Sequence, residues 1–296
     1  MYERMLSRLR DAQDGICRAM SAIDGGQFRE HQWERPGGGG GWSRFLEDST
    51  VFEKAGINVS AVHGSLSEQA FAAMRARGVE TDERSFRATG LSLVLHPHNP
   101  HAPTVHANTR YFELGDGEIW WFGGGTDLTP SVLYEEDARH FHSTLKAFCD
   151  RHDPAFYPRL KRWCDEYFFL KHRGEARGVG GIFFDDLRDR SKEALFAFAS
   201  DSLDVVVPAY TPILERRHTQ PFTEEEKRWQ ALRRGRYVEF NLVWDRGTLF
   251  GLRTDARVES VLMSLPLTAR WEIDHEPLPW QQELVDVLRH PRDWAE

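Results

Sequence analysis

This sequence of 296 residues has few cysteines, fewer positive than negative charges and no long apolar run. The three cysteines, Cys17, Cys149 and Cys164, lie far apart without a CxxC pair, which argues against a disulfide framework and a zinc knuckle. No apolar run reaches the about 18 residues that a membrane-spanning helix needs. The first residues, MYERMLSRLRDAQDG, are too charged for a secretory signal. We therefore expect buried free thiols and a cytoplasmic protein.

The charge balance limits the partners that the protein can attract. Lysine and arginine number 38 against 46 aspartates and glutamates, which gives a net charge of -8. A chain of this charge has no overall attraction to nucleic acid, anionic membranes or other anions. An acidic ligand would need a locally basic pocket, for which the candidate arginines are Arg110, Arg246, Arg253 and Arg257.

A glycine run at residues 36–41, PGGGGG, is the strongest local interruption of the sequence. No Lys-Ser or Lys-Thr follows it, so the run does not match a phosphate-binding P-loop. Consecutive glycines are not expected in regular secondary structure. The run is therefore predicted to form either a mobile loop or a lid that lets backbone approach a ligand closely.

The remaining pattern predicts one domain of the α+β class over residues 1–296. No internal repeat, low-complexity linker or long charge run marks a boundary. Strand-like segments come in neighbouring couples, such as ATGLSLVLHP followed by TVHANTRYFEL, which favours an antiparallel sheet with helices packed on it. The segment YVEFNLVWDRGTLFGL is predicted to be a further hairpin with its turn near DRG. A long helix is expected to bend near Pro208, and Thr223 with Glu226 is expected to cap the next one.

Four histidines lie within LHPHNPHAPTVHANTR, residues 95–110. Side chains alternate between the two faces of a strand, so one shared face is predicted to carry a polar pocket floor. A single histidine is usually a hydrogen-bonded core or loop residue, and the matching parity of five polar residues argues against that interpretation here. The five are Ser92, His96, His106, Asn108 and Arg110, whereas His98 and His101 are expected to face solvent.

Two further groups of candidate residues remain open on spacing alone. Asp245 beside Arg246 suits either acid–base chemistry or a simple turn in DRG. His140 and His142 are two residues apart, so on a helix they cannot both face one metal. A divalent-ion site formed by His96, His106, His142 and His172 is geometrically allowed, but their spacing does not demand it.

Seven segments in order resemble the oxygen-dependent coproporphyrinogen III oxidases of haem biosynthesis, from about residue 30 to 272. They are FEKAGINVS, HPHNP, HANTRYFE, WWFGGGTDLTP, RGVGGIFFDDL, RGRYVEFNLVWDRGTLFGL and ESVLMSLPLTARW. The resemblance implies a large antiparallel sheet between helices, a homodimer, and a deep cleft that holds the tetrapyrrole. It also implies the oxidative decarboxylation of two propionates of coproporphyrinogen III to vinyl groups, with O2 as co-substrate and protoporphyrinogen IX, CO2 and hydrogen peroxide as products.

The resemblance also assigns roles to particular residues. It implies His106 as proton donor, Asp245 as base and Arg246 as a carboxylate-binding group. The implied substrate contacts are Ser92, Asn108, Thr109, Arg110, Asp255, Ala256 and Arg257. The DAR of residues 255–257 departs from the usual Gly-Gly-Arg or Gly-Ser-Arg, so Arg257 is the residue of this loop that carries over.

The cofactor and two rival functions stay open. The family's implied divalent-metal ligands are His96, His106, His142 and His172, yet its reaction is often described as needing no metal or organic cofactor. The rivals are a metal-dependent oxygenase or hydrolase that uses these four imidazoles, and a carrier that binds a tetrapyrrole without converting it.

Overall fold

A seven-stranded antiparallel sheet forms the centre of the protein in a computed structural model that describes residues 1–76, 78–253 and 257–296. The strands are β1 (Arg29–Glu34), β2 (Gly39–Glu47), β3 (Phe52–Ser65), β4 (Ser85–Pro97), β5 (Thr104–Leu114), β6 (Ile119–Thr129), β7 (Phe169–Leu170), β8 (Glu175–Ala176) and β9 (Gly180–Leu187). The order across the sheet is β1-β2-β3-β4-β5-β6-β9, and β7 pairs with β8 separately. Neighbours along the chain are thus mostly neighbours in the sheet, as their hairpin-like spacing predicts.

Helices connect and cover the strands. They are α1 (Tyr2–Asp24), α2 (Glu68–Ala76), α3 (Glu135–Asp150), α4 (Phe156–Tyr167), α5 (Lys192–Asp204), α6 (Val206–Arg217), α7 (Glu224–Glu239), α8 (Arg246–Arg253), α9 (Val258–Val261) and α10 (Pro279–Arg289). A π-helical segment, Phe240–Trp244, joins α7 to α8, and a 3-10 turn, Leu262–Ser264, follows α9. Within the described residues no helix combines the length and the apolar character that a bilayer crossing requires.

The two faces of the sheet have different roles. Leu91, Leu93 and Leu95 are buried on one face, which packs against α1, α5 and the helices behind them in one continuous hydrophobic core. The opposite face carries Ser92, which is exposed, and only part of this face is covered. We call it the cleft face. Helix α7, the π-helical segment and the 3-10 turn lie over its end near His96. These observations confirm the α+β prediction of an antiparallel sheet with helices on both faces.

The predicted hairpin over residues 237–252 is wrong, because this stretch is helical. A capping box begins α7: the Thr223 hydroxyl accepts from the Glu226 amide, and Glu226 returns a bond to the Thr223 amide. Trp229 and Leu232 then pack against α10, and Tyr237 is buried beside His96 and Arg177. This tertiary packing and the cap outweigh the strand propensity of the individual residues.

The glycine run also differs from its prediction, because it forms the turn of a β1–β2 hairpin and the start of β2. Gly39 has a φ of 81° and pairs with Val62 of β3. A Cβ atom there would lie 2.7 Å from the Val62 Cα atom and against the Ala61 carbonyl oxygen. Glycine is needed at Gly39 both for its left-handed conformation and for this close strand contact.

Two smaller predictions are confirmed. All three cysteines are buried and free. The long helical stretch is interrupted at Val205, between α5 and α6 and three residues before Pro208.

Candidate active site

The floor of the candidate site is the cleft face of β4, β5 and β6. In the β4–β5 register Gly90 lies opposite Arg110, Ser92 opposite Asn108, and Val94 opposite His106. Residues that face each other across an antiparallel pair point to the same side of the sheet. The predicted common face of Ser92, His96, His106, Asn108 and Arg110 is therefore present. Ser92 and Arg110 reach solvent, whereas His96 is buried beneath the 3-10 turn and does not form part of an open floor.

Backbone forms much of this floor on β6. Gly123 lies opposite Arg110 and Gly125 opposite Asn108, so both glycines belong to the cleft face. A Cβ atom at Gly123 would lie 2.6 Å from the Arg110 Nε atom, and one at Gly125 would lie 2.6 Å from the Ile182 carbonyl oxygen. The glycines leave room for the Arg110 side chain and for the close approach of β9.

A chain of hydrogen bonds crosses the floor. His106 Nδ1 lies 2.6 Å from Asp127 Oδ1, and Asn108 Nδ2 lies 3.3 Å from His106 Nε2. Arg110 Nη1 donates to Asn108 Oδ1 at 3.1 Å. We assign the tautomer from these partners: Nδ1–H donates to the carboxylate, and Nε2 accepts from the Asn108 amide.

Arg177 supports this chain from behind. Its guanidinium group is buried, donates to Asp127 Oδ2 at 2.7 Å, and lies 4.1 Å and 4.5 Å from the ring centroids of Phe168 and Tyr237. Burial alone would raise the pKa of Asp127, but the nearby Arg177 charge and the bonds from Arg177 and His106 hold that pKa below its usual value. Asp127 therefore stays ionised and orients the His106 ring.

Asp245 lies at the end of the π-helical segment and begins α8. Its Oδ2 atom accepts from both the amide and the hydroxyl of Thr248, each at 2.8 Å, as expected of a helix N-cap. Its Oδ1 atom accepts from the Tyr167 hydroxyl at 2.9 Å. Burial, with the Asp245 charge as a further cause, raises the pKa of Tyr167 to about 12, so the phenol remains a donor. Both oxygens of the half-buried carboxylate are thus held in place.

Asp185 connects Arg246 to the floor. Arg110 Nη2 donates to Asp185 Oδ1 at 2.6 Å, and Arg246 Nη2 donates to Asp185 Oδ2 at 3.2 Å. Arg246 also lies over the Tyr167 ring, with 5.1 Å between its Cζ atom and the ring centroid. Two arginines from distant parts of the sequence therefore meet at one point of the cleft, as a locally basic pocket requires.

The four histidines of the predicted metal site are not brought together. His96 is bonded to Thr104 and the Ser264 carbonyl, His142 to Tyr157 and the Val179 carbonyl, and His172 to Glu239 and Trp244. Over the described residues, no group of three or more His, Cys, Asp or Glu side chains is arranged to hold a metal ion. The residues present do not fit a four-imidazole ion site, because each ring already has partners within the fold.

Two further placements differ from expectation. Thr109 points to the opposite face of the sheet, where its hydroxyl lies 3.0 Å from the Ser202 hydroxyl of α5, so its side chain belongs to the core and faces away from the cleft. Strand alternation explains this, since both of its neighbours face the cleft. His101 is buried rather than solvent-facing, because Tyr134 and the Pro221 carbonyl bond its ring.

The loop after α8 is described only in part. Arg257 lies 2.6 Å from the His31 Nδ1 atom of β1 and donates to Glu259 at 3.2 Å. It therefore lies towards the β1 edge of the sheet. Asp255 and Ala256, the other predicted contacts of this loop, lie outside the described residues.

Sequence reasoning missed several side chains of the site. Asp127 shares the parity of Gly123 and Gly125, so the same strand argument applied to WWFGGGTDLT would have found it. Asp185 lies near the end of a buried strand in FFDDL, which is a weaker indication of a site residue. Tyr167 gave no signal that distinguishes it from an ordinary core residue.

Comparison with known proteins identifies relatives across nearly the whole chain. The sequence is 55% identical over 307 residues to the chloroplastic oxygen-dependent coproporphyrinogen-III oxidase of Glycine max, covering 99% of this chain and 78% of the relative. It is 55% identical over 305 residues to coproporphyrinogen-III oxidase 1, chloroplastic, of Arabidopsis thaliana, with 98% and 78% covered. Against the mitochondrial enzyme of Homo sapiens the identity is 53% over 306 residues, with 100% and 67% covered.

The expectation of a cytoplasmic protein is wrong in the light of these relatives, because those three are chloroplastic or mitochondrial. An apolar run identifies only secretory signals and membrane-spanning segments. Organelle-directing peptides are instead amphipathic, rich in arginine and serine and poor in acidic residues, so a lack of apolar runs does not exclude an organelle.

The family comparison agrees with the individual relatives. Residues 4–294 match the family described as coproporphyrinogen III oxidase. The match includes the floor strands, Asp245 and Arg246. Because of this match, and because nearly the whole chain is 53% and 55% identical to the human and Glycine max enzymes, the chain belongs to the coproporphyrinogen III oxidase family.

Proposed function

We propose that this protein catalyses the oxygen-dependent oxidative decarboxylation of two propionate groups of coproporphyrinogen III to vinyl groups, giving protoporphyrinogen IX in haem biosynthesis. The observation that carries the proposal is the meeting of Arg110 and Arg246 at the cleft, with Asp245 bound to the Tyr167 hydroxyl beneath Arg246, in a chain that belongs to this family. A tetrapyrrole with four carboxylates needs such a combination of flat floor, cationic groups and base.

Substrate binding follows from the shape and charge of the cleft. The macrocycle lies against the floor of Ser92, Asn108 and the β6 glycines, and Arg110 and Arg246 bind the reacting carboxylate. Arg257 binds a second carboxylate towards the β1 edge. These arginines provide the local positive charge that a chain with a net charge of -8 lacks overall.

Asp245 acts as the base in this proposal. It removes the proton of a pyrrole N–H, which pushes electron density into the ring and makes the macrocycle the electron source for O2, and it returns this proton to the nitrogen once the vinyl group has formed. For each propionate, the bond to the carboxylate breaks and its electron pair forms the vinyl double bond. The carbon next to the ring loses a hydride equivalent, which O2 accepts together with one proton as hydrogen peroxide, while CO2 leaves.

His106 supplies the proton for the peroxide. In the assigned tautomer Nε2 accepts from the Asn108 amide, so the ring must first be protonated there, which breaks that bond. The Asp127 carboxylate stabilises the resulting imidazolium through Nδ1. No step of the proposal uses a metal ion or an organic cofactor. We further propose that the protein acts as a homodimer, which rests on the family resemblance.

Anaerobic and aerobic incubation with coproporphyrinogen III tests the function. We expect CO2 release and the fluorescence of the oxidised divinyl product only in the presence of O2, and no loss of activity after exhaustive chelation. Binding without CO2 release under air would instead identify a tetrapyrrole carrier. Activity that is lost on chelation and restored by one metal would favour the metal-dependent rival.

A further inference from the structure

A bulge at the end of β9 aims one carboxylate at the cleft. The β6–β9 register shifts between Phe122 and Gly124, so that β9 has one residue more than its partner over this stretch. Asp186 at the bulge has a φ of 49°, and its amide donates to Asp185 Oδ1 at 3.0 Å. This geometry fixes the Asp185 carboxylate at the rim of the floor.

The two arginines that the proposed function assigns to the reacting propionate both bind this carboxylate. Arg110 uses Oδ1 and Arg246 uses Oδ2, at 2.6 Å and 3.2 Å. The side chain of Asp185 is only 16% exposed, whereas those of Arg110 and Arg246 are 40% and 58% exposed. The Asp185 carboxylate is thus mostly buried, and the two guanidinium groups face the cleft.

We propose that Asp185 is a specificity-determining residue that competes with the substrate's propionate for Arg110 and Arg246. This inference rests on the proposed function. An aspartate and a propionate end in the same group, so both present two oxygens to the same two guanidinium donors. A ligand carboxylate that binds the Nη2 donors of both arginines displaces Asp185 from them, and its apparent affinity is lowered by the fraction of protein in which the internal pairs are closed.

The competition between Asp185 and the propionate would help to release the product. Each decarboxylation converts the bound carboxylate into neutral CO2, which leaves two arginines without their ligand partner. Asp185 lies within reach of both and closes the internal ion pairs again. The vinyl product is then no longer held by these arginines, and solution anions meet Nη2 donors that Asp185 already occupies.

Binding of coproporphyrin III, the aromatic porphyrin with the same four propionates, tests the proposal. We expect Asp185→Asn to lower its dissociation constant by about two- to tenfold at low salt, because the internal competitor of two solvent-open arginines is removed. The tetra-amide of the same porphyrin should bind both proteins equally. A simple structural role, in which Asp185 only holds the arginines in place, predicts weaker binding of the tetra-acid, the opposite sign.

Asp189→Asn is the matched control. It removes the same charge four residues further on, where Asp189 pairs with Arg159 on the surface. We expect unchanged binding of both porphyrins. Equal tightening in this control would mean that overall charge is responsible and would overturn the proposal. Turnover of the unaltered protein under air is measured in parallel, so that failure of the proposed function is recognised separately.

A structure of the unaltered protein with coproporphyrin III gives a test that needs no variant. We expect a ligand carboxylate at hydrogen-bond distance from Arg110 and Arg246, with the Asp185–Arg246 contact opened. Retention of both Asp185 contacts with the ligand carboxylates bound elsewhere would refute the competition.

Discussion

At the scale of single residues, the site is built from groups whose hydrogen-bond capacity is used within the fold. Tyr167 and Thr248 fix both oxygens of Asp245, and Asp127 fixes one nitrogen of His106. Preorganisation of this kind lowers the reorganisation needed during reaction. It also means that an amide can replace the Asp245 carboxylate without loss of the α8 cap.

Asp245→Asn should therefore separate chemistry from folding. We expect kcat to fall by about 10²- to 10⁴-fold, because the base is lost, while coproporphyrin III binding changes little. Steady-state turnover and fluorescence titration measure the two effects. Near-normal turnover with equal binding would show that Asp245 is not the base.

His106→Gln tests the proton donor. We expect kcat to fall more than substrate affinity, and the pH dependence of kcat to lose the limb that the imidazole causes. The exposed His290→Gln is the control, since its ring bonds only to its own helix. An unchanged pH profile in the His106 variant would exclude the role.

Strand parity made much of the floor predictable, and its limits are equally clear. Ser92, His106 and Asn108 were predicted because residues two apart share a face once the strand is known. The same rule places the Thr109 side chain on the opposite face of the sheet. The resemblance alone had assigned Thr109 as a substrate contact. Tyr167 and Arg177 reach the site from other elements, and contacts between distant elements depend on tertiary packing that spacing in one segment does not encode.

At the scale of elements, the β1–β2 hairpin shows why a glycine run need not be a loop. Its glycines form a turn and then pair closely with β3. Composition alone cannot distinguish this arrangement from a flexible lid. The helix over residues 224–239 shows the opposite case. Its cap was predicted correctly, but the end of the helix was missed because valine, phenylalanine and tryptophan in YVEFNLVW have strand propensity.

Gly39→Ala tests the hairpin. We expect the free energy of unfolding to fall by about 1–3 kcal/mol, because the left-handed φ and the contact with β3 both disfavour a side chain. Gly37→Ala is the matched change, since its added Cβ atom would meet only the flexible Arg35 guanidinium, at 2.9 Å. Urea denaturation measures both. Equal, small effects would support the loop interpretation.

At the scale of the whole molecule, an acidic protein keeps many of its arginines in internal pairs. Arg234 binds Glu53, Arg233 binds Glu175 at 2.7 Å, and Arg177 binds Asp127, all with both partners buried. Such pairs contribute more to the unique arrangement of the elements than to net stability. Arg110 and Arg246 differ because they are partly open to the cleft.

Buried histidines make the stability of the fold depend on pH. Burial, helped by the Lys161 charge, lowers the pKa of His142 to about 3, so the folded protein keeps this ring neutral. Unfolded protein takes up the proton near pH 6.5, and stability therefore falls as the pH drops from about 6.5 towards 3.

We expect His142→Gln to flatten that fall by about 1.4 kcal/mol per pH unit between roughly pH 6 and pH 4. Urea denaturation at several pH values measures the slope. His140→Gln, which removes a ring bonded to the Pro208 carbonyl on the exposed side of the same helix, is the control. Equal slopes in all three proteins would contradict the assignment.

Gly123 and Gly125 of β6 restrict the changes by which this protein could come to bind new ligands. A methyl group at Gly123 would collide with Arg110, and one at Gly125 would collide with the neighbouring backbone. Mutational drift and protein engineering alike are thereby confined to the walls and rim of the cleft. Variants with altered porphyrin preference should therefore keep Gly123 and Gly125 unchanged.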